Sequence, residues 1–204
     1  MIKTIIFDFG DVFINLDKPA TERELFKLGV KELSLDMYNV AKEYEKGLIS
    51  SNEFVTYFTN KFPNIKGTDL IKAWNAIILD FPEYRLEFIE NLAKDKTYKL
   101  ILLSNTNALH IEQVIENMNL ERYNRFKNCF DKFYLSHEIH LRKPNSNIYE
   151  FVLTENNLLP NECIFIDDTK DNTDTAASLG IHVWNNNPEV DDIINLFKEK
   201  AELF

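Results

Sequence analysis

Apolar residues gather in five short runs of strand length, at positions 4–7, 99–103, 132–135, 163–166 and 181–184. The stretch Leu100-Ile101-Leu102-Leu103 has no polar interruption, which predicts a strand covered on both faces. Between and after the last four runs lie segments of helical length and composition, at about 107–118, 145–157, 171–179 and 189–202. Strands alternating with helices predict a parallel sheet with helices on both sides. The spacing between the first two runs breaks this rhythm. About 85 residues separate Val12 from Lys99, whereas α/β connections usually take about 2–6. That interval has its own helical periodicity: Phe54, Phe58 and Phe62 recur every fourth residue, Ser50 and Glu53 have capping-box spacing, and Gly47 sits where a helix would stop. The expected organisation is a core of residues 1–15 and 85–204 interrupted by a helical cap at 16–84. The three Phe residues are expected to pack the cap helices together without touching a substrate.

Composition narrows the class without naming a chemistry. The 204 residues are 45% apolar, with 16 Phe, 8 Tyr and 2 Trp, enough to build a packed core. With 23 Lys and Arg against 33 Asp and Glu, the formal charge of −10 gives no general attraction for nucleic acid or anionic lipid. Neither a 20-residue apolar run nor a secretory leader pattern is present, and Cys129 and Cys163 have neither disulfide-framework nor metal-site spacing. The expectation is a cytoplasmic protein whose partner is a small molecule; oligomeric state is left open.

Polar residues collect where the strands end. Phe7 gives way to Asp8, Leu103 to Ser104 and Asn105, and Ile166 to Asp167 and Asp168, while the third run leads toward Arg142 and Lys143 before Pro144. In a parallel sheet all these ends emerge along one edge, where ligands bind. Several carboxylates in one crevice require a cation, and oxygen ligands select Mg²⁺ or Ca²⁺; Mg²⁺ leaves room for water and a phosphate. Ser104, Asn105 and Lys143 are suited to phosphate oxygens, and an Asp beside the metal can attack phosphorus. Phosphoryl transfer is the chemistry these residues point to.

The segments Phe7-Asp8-Phe9-Gly10-Asp11-Val12, Leu102-Leu103-Ser104-Asn105, Leu141-Arg142-Lys143-Pro144-Asn145 and Phe165-Ile166-Asp167-Asp168 through Asn172 resemble, in order, the four motifs of the haloacid dehalogenase-like hydrolases. Glu45-Lys46-Gly47-Leu48-Ile49-Ser50 with Phe54, and Trp74-Asn75 ahead of Phe81-Pro82, are similar to that family's small helical cap. The branch most resembled contains bacterial alpha-D-glucose-1-phosphate phosphatases and the phosphatase domain of soluble epoxide hydrolases. The resemblance implies a Rossmann-like three-layer α/β core and a Mg²⁺-dependent phosphatase acting on a small phosphorylated metabolite, such as a sugar 1-phosphate, through an aspartyl phosphate. Asp8 would be nucleophile and metal ligand, Gly10 a ligand through its carbonyl, and Asp168 a further ligand. Ser104 and Lys143 would hold the phosphoryl group, with Asp167 and Asn172 supporting the metal site from outside.

Two departures from the family pattern stand out. Most of its phosphatases carry a second Asp two residues after the nucleophile to protonate the leaving group, and this chain has Gly10; in an extended strand Asp11 would point away. His140 stands where the branch commonly has Gly. His137 and His140 lack HExxH spacing, His110 is expected on a helix surface and His182 in a strand, and Arg142 either assists phosphate or pairs with the acidic excess. The alternatives are a 2-haloacid dehalogenase, in which Asp8 attacks carbon, and a phosphometabolite-binding protein without turnover, which Gly10 permits. Paired Asp167 and Asp168 argue against a metal-free dehalogenase.

Overall fold

A computed structural model describes all 204 residues, Met1–Phe204. Five strands, β1 (Thr4–Phe7), β2 (Lys99–Ser104), β3 (Lys132–Leu135), β4 (Cys163–Asp167) and β5 (His182–Asn185), form one parallel sheet in the order β3-β2-β1-β4-β5. Register follows the side-chain alternation of strands. Ile5 lies beside Leu100 and Ile164, and Phe7 beside Leu102 and Ile166. These six residues belong to one core, while Ile6, Ile101 and Phe165 face another. Both faces of the central strands are therefore apolar, which is why β2 shows no polar interruption.

The first face is covered by α5 (Glu83–Asp95), α6 (Ala108–Met118) and α7 (Leu120–Lys127). Leu86, Ile89, Val114 and Phe126 enter its core. Much of the Phe content is spent here: Phe126 packs 5.0 Å from Phe9 and from Phe13 and 4.9 Å from Phe130, measured between ring centroids. Aromatic contacts of this kind are worth about 0.5–1.5 kcal/mol beyond area burial, so the loop after β1 rests on a stiff base. The second face is covered by α9 (Ser146–Glu155) and α10 (Lys170–Ser178), through Ile148, Tyr149, Val152 and Ala176.

Four helices lie between β1 and α5: α1 (Ala20–Lys27), α2 (Leu35–Glu45), α3 (Ser51–Lys61) and α4 (Gly67–Asn75). They share a separate apolar cluster that includes Leu25, Met37, Phe54, Phe58 and Leu70. Ser50 and Glu53 form a capping box at the start of α3, a feature worth about 1 kcal/mol. Phe54 stacks on Tyr44 at 4.5 Å and meets Trp74 at 4.7 Å.

The structure departs from the sequence pattern in three places. The continuous helix expected at 189–202 is absent: a turn of 3₁₀ helix at Ile193–Asn195 leads into the short α11 (Leu196–Glu199). Asp192 is the cause. It stays extended, caps the Ile194 N–H, and accepts hydrogen bonds from Arg85 and Tyr84. Helix α7 is additional, started by Asn119 at φ 67°, whose side chain accepts from the Arg122 N–H. His110 is half-buried, not a helix-surface residue, with its ring stacked on Trp74 at 5.2 Å and its Nε2–H directed to the Trp74 carbonyl at 3.3 Å. His182 lies in β5 as expected, exposed.

Burial pushes the His110 imidazole down to about 4, against the upward pull of the Trp74 carbonyl. A folded-state value below the unfolded one means that the unfolded chain binds the proton first, so stability is full above about pH 6.5 and falls as pH drops toward 4. Allowing for partial exposure, wild type should lose about 2 kcal/mol more than His110→Gln across that window. Thermal melts at stepped pH check this, and superimposable profiles would contradict it.

Candidate active site

Asp8, Ser104 and Asp167–Asp168 are carried to one edge because β1, β2 and β4 are adjacent and parallel. The Asp8 N–H continues the ladder with a 2.8 Å bond to the Ile166 carbonyl, which ties the residue to the sheet after β1 has formally ended. Lys143 arrives from the loop between α8 (Ser136–Ile139) and α9 and is 0% exposed. Its ammonium lies 2.8 Å from Asp8 Oδ1 and 2.6 Å from Asp167 Oδ2, over the face of Phe165. A fully buried lysine is tolerable only when so paired.

The electrostatics of this cluster are opposed. Burial raises the Asp8 carboxyl to about 7; Lys143 pulls it down, and Asp167 and Asp168 push it up. For Lys143, burial acts downward, but Asp167 and Asp8 outweigh it and hold the ammonium above its ordinary value. Asp168 is also raised, by burial first, with Lys18 opposing.

Carboxylate oxygens of Asp8, Asp167 and Asp168 lie within 4.8 Å of one another. The three are not equivalent. Asp167 Oδ2 accepts from Lys143, Oδ1 accepts from the Thr169 N–H, and Asn172 Nδ2 reaches both oxygens at 3.0 Å. Asp167 is thereby saturated as a holder of Lys143, whereas Asp8 and Asp168 offer oxygens to a cation. This hard-oxygen pair, with Gly10 following closely in chain, suits Mg²⁺. Asn172 braces Asp167 and has no bond to Asp168.

Two further residues differ from their expected parts. The Asn105 side chain is committed to the Lys143 backbone: its Oδ1 accepts from the Lys143 N–H and its Nδ2 donates to the Lys143 carbonyl, both at 2.9 Å. That amide positions Lys143 and is not free for phosphate. Asp11 does not continue an extended strand; it adopts φ 53° and its carboxylate turns back toward the site. Oδ1 accepts from the Leu16 N–H at 3.0 Å, and Oδ2 lies 3.0 Å from Lys18, which also pairs with Asp168. Both Asp11 oxygens are thus engaged, one by a backbone N–H and the other by the exposed Lys18 that Asp168 shares. Ser104 is 3% exposed at the end of β2.

Lys18 separates two hollows. One, about 770 Å³, is an open groove bordered by Asp11, Asp168, Asn185 and Asn187. The other, about 320 Å³, lies between the cap helices and the loop carrying Lys143; Arg142, Glu45, Lys42, Tyr38, Trp74 and Phe58 line it. Phe58 thus borders this chamber besides packing the cap, a role that helical periodicity does not distinguish from simple burial. The cluster of convergent ligand atoms, Asp8, Asp167 and Asp168, includes neither His137 nor His140, and His140 Nδ1 donates to the Lys46 carbonyl at 2.8 Å. At φ 58°, His140 adopts the left-handed conformation usually left to glycine.

A parallel α/β core and an insertion after β1 bring a carboxylate–lysine cluster to the strand ends, where an Asp carboxylate could serve as a nucleophile. The chain belongs to the haloacid dehalogenase-like hydrolases, whose family pattern it matches over residues 5–185. It is 28% identical over 194 residues to the D-ribitol-5-phosphate phosphatase of Bacteroides thetaiotaomicron, with 90% of this chain and 91% of that protein covered. It is also similar to a crystal structure of a HAD family enzyme of the same organism in complex with magnesium, with 30% identity, 97% and 98% of the two chains covered and a TM-score of 0.85. The wild-type protein of that enzyme in complex with magnesium and inorganic phosphate gives 29% identity, 97% and 100% coverage and a TM-score of 0.83.

Proposed function

We propose that this protein is a Mg²⁺-dependent phosphatase that hydrolyses phosphate monoesters of a small polyhydroxylated metabolite through phosphoryl transfer to Asp8. The observation that carries this reading is the buried Asp8 carboxylate, held 2.8 Å from Lys143 with Asp168 beside it at the strand ends. Asp8 and Asp168, with the Gly10 carbonyl, would hold the ion, which when bound neutralises the charge that otherwise keeps a phosphoryl group away from a carboxylate. A carboxylate oxygen of Asp8 bonds to phosphorus as the bond to the alcohol oxygen breaks, while Ser104 and Lys143 hold the phosphoryl oxygens. The departing oxygen takes its proton from solvent. Water then attacks the phosphorus, releasing inorganic phosphate and restoring Asp8. No helix of the structure is long and apolar enough to cross a membrane.

Substrate choice is tested by comparing kcat/KM for glucose 1-phosphate, glucose 6-phosphate and D-ribitol 5-phosphate. General acid catalysis is typically worth about 10² to 10⁴ in rate, and Gly10 cannot supply it. Glucose 1-phosphate, whose anomeric oxygen leaves more readily, should therefore outrun glucose 6-phosphate, a primary alkyl ester. The similarity to a ribitol-phosphate phosphatase favours a chain-shaped alcohol in the cap chamber. If ribitol 5-phosphate leads all three, chamber contacts outweigh leaving-group ability; a lead for glucose 6-phosphate would contradict both arguments. Turnover of none of them, or halide release from a 2-haloacid without Mg²⁺, would sink the phosphatase reading itself. A Cβ at position 10 would come within 2.7 Å of Leu16 Cδ1, so an acid restored there requires only that the end of this half-buried side chain shift.

A further inference from the structure

We infer that Arg142 is a positioning residue that couples the seating of cap helix α2 to the placement of Lys143; the inference rests on the phosphatase reading for its kinetic consequence. A helix leaves its last carbonyls unpaired, and at the end of α2 core residues satisfy them. Ser136 Oγ donates to the Glu45 carbonyl at 2.6 Å and His140 Nδ1 to the Lys46 carbonyl at 2.8 Å. The approach is so close that a Cβ on Gly47 would lie 2.0 Å from the His137 carbonyl oxygen, so only glycine fits, and it sits there at φ 63°.

Arg142 completes the join from the other side. Its Nε donates to Glu45 Oε2 at 2.6 Å while its Nη1 donates to the Lys143 carbonyl at 2.9 Å. One planar guanidinium thus spans the cap helix end and the backbone of the residue whose ammonium holds Asp8, a geometry that a lysine's single nitrogen does not reproduce. The Lys143 carbonyl accepts a second bond, from Asn105. Both Arg142 and Glu45 are about one-quarter exposed, at 26% and 23%, so their pair is less screened than an open surface pair. Moving the end of α2 therefore pulls on the Lys143 backbone through two short bonds.

The test uses Arg142→Ala, Arg142→Lys, Glu45→Ala and the double variant Glu45→Ala/Arg142→Ala. Kinetics are followed with p-nitrophenyl phosphate and Mg²⁺, and amide exchange over residues 44–48 and 141–145. Each single variant should lower kcat roughly 10- to 100-fold, as expected for misplacement of a reacting group by a fraction of an ångström to an ångström, with KM moving much less. The double variant should be no worse than the weaker single. Exchange should quicken in both segments in every variant, Arg142→Lys included. Wild-type kcat in Glu45→Ala, multiplicative losses in the double variant, or a change confined to KM would overturn the coupling and make Arg142 a substrate contact. A wild type without turnover defeats the phosphatase reading; the coupling then stands or falls on exchange, and unchanged exchange at 141–145 in Glu45→Ala overturns it.

Discussion

Asp8→Asn should lower kcat by at least ~10³-fold while leaving the protein folded. The substitution keeps shape and removes the nucleophile, along with one of the two carboxylates offered to Mg²⁺. Its effect on stability runs opposite to that of an ordinary lost ion pair. Burial raises the Asp8 carboxyl to about 7 in the folded protein, so the unfolded chain holds fewer protons on this group between its usual value near 4 and about 7. Stability contributed by this group is therefore lost as pH rises through that window. The metal-free Asp8→Asn protein should melt at or above the wild-type temperature at pH 7. Turnover above a tenth of wild type would refute the nucleophile assignment, and a lowered melting temperature would show that the carboxylate serves the fold instead.

Lys143→Met should damage both activity and stability. Removing the ammonium strands Asp8 and Asp167, buried carboxylates 2.8 and 2.6 Å from it, and breaking a buried pair in this way costs about 3–5 kcal/mol. Turnover should fall by ~10² or more, because the phosphoryl oxygens lose their charged partner. Adding Asp167→Asn removes one stranded charge, so the double variant should recover part of the melting temperature and none of the activity. Recovery of both would mean that Lys143 acts only as a structural counter-ion. Thermal melts alongside steady-state assays separate the two outcomes.

Much of the sheet was legible because burial on both faces leaves apolar runs that need no long-range information: 4–7 and 132–135 match β1 and β3, and β2 and β4 each extend one residue beyond their runs, to Ser104 and Asp167. The strand-end rule likewise brought Asp8, Ser104 and Asp167–Asp168 to one edge. What sequence did not disclose depends on partners far along the chain. The Asn105 side chain looks free to reach a phosphate until Lys143, 38 positions away, takes both ends of its amide. Asp11 points away from the site only if the strand continues past Asp8; the chain has already turned there, at φ 53°, and Asp11 shares Lys18 with Asp168. The expected terminal helix fails because Asp192 is held by Arg85, 107 positions earlier. Helix α7 did carry a local signal, the three-residue spacing of Leu120, Tyr123 and Phe126 after Asn119. The contact of Gly47 with the core had none, since a glycine after a helix reads as an ordinary stop.

Covalent transfer to Asp8 is tested most directly by rapid acid quench of the enzyme turning over p-nitrophenyl phosphate with Mg²⁺, followed by peptide mass spectrometry. The account predicts a phosphoryl adduct on Asp8 during turnover, labile to hydroxylamine and absent without Mg²⁺ and in Asp8→Asn. Steady turnover with the adduct on another residue, or with Asp8 unmodified at every quench time down to a single turnover, would contradict it.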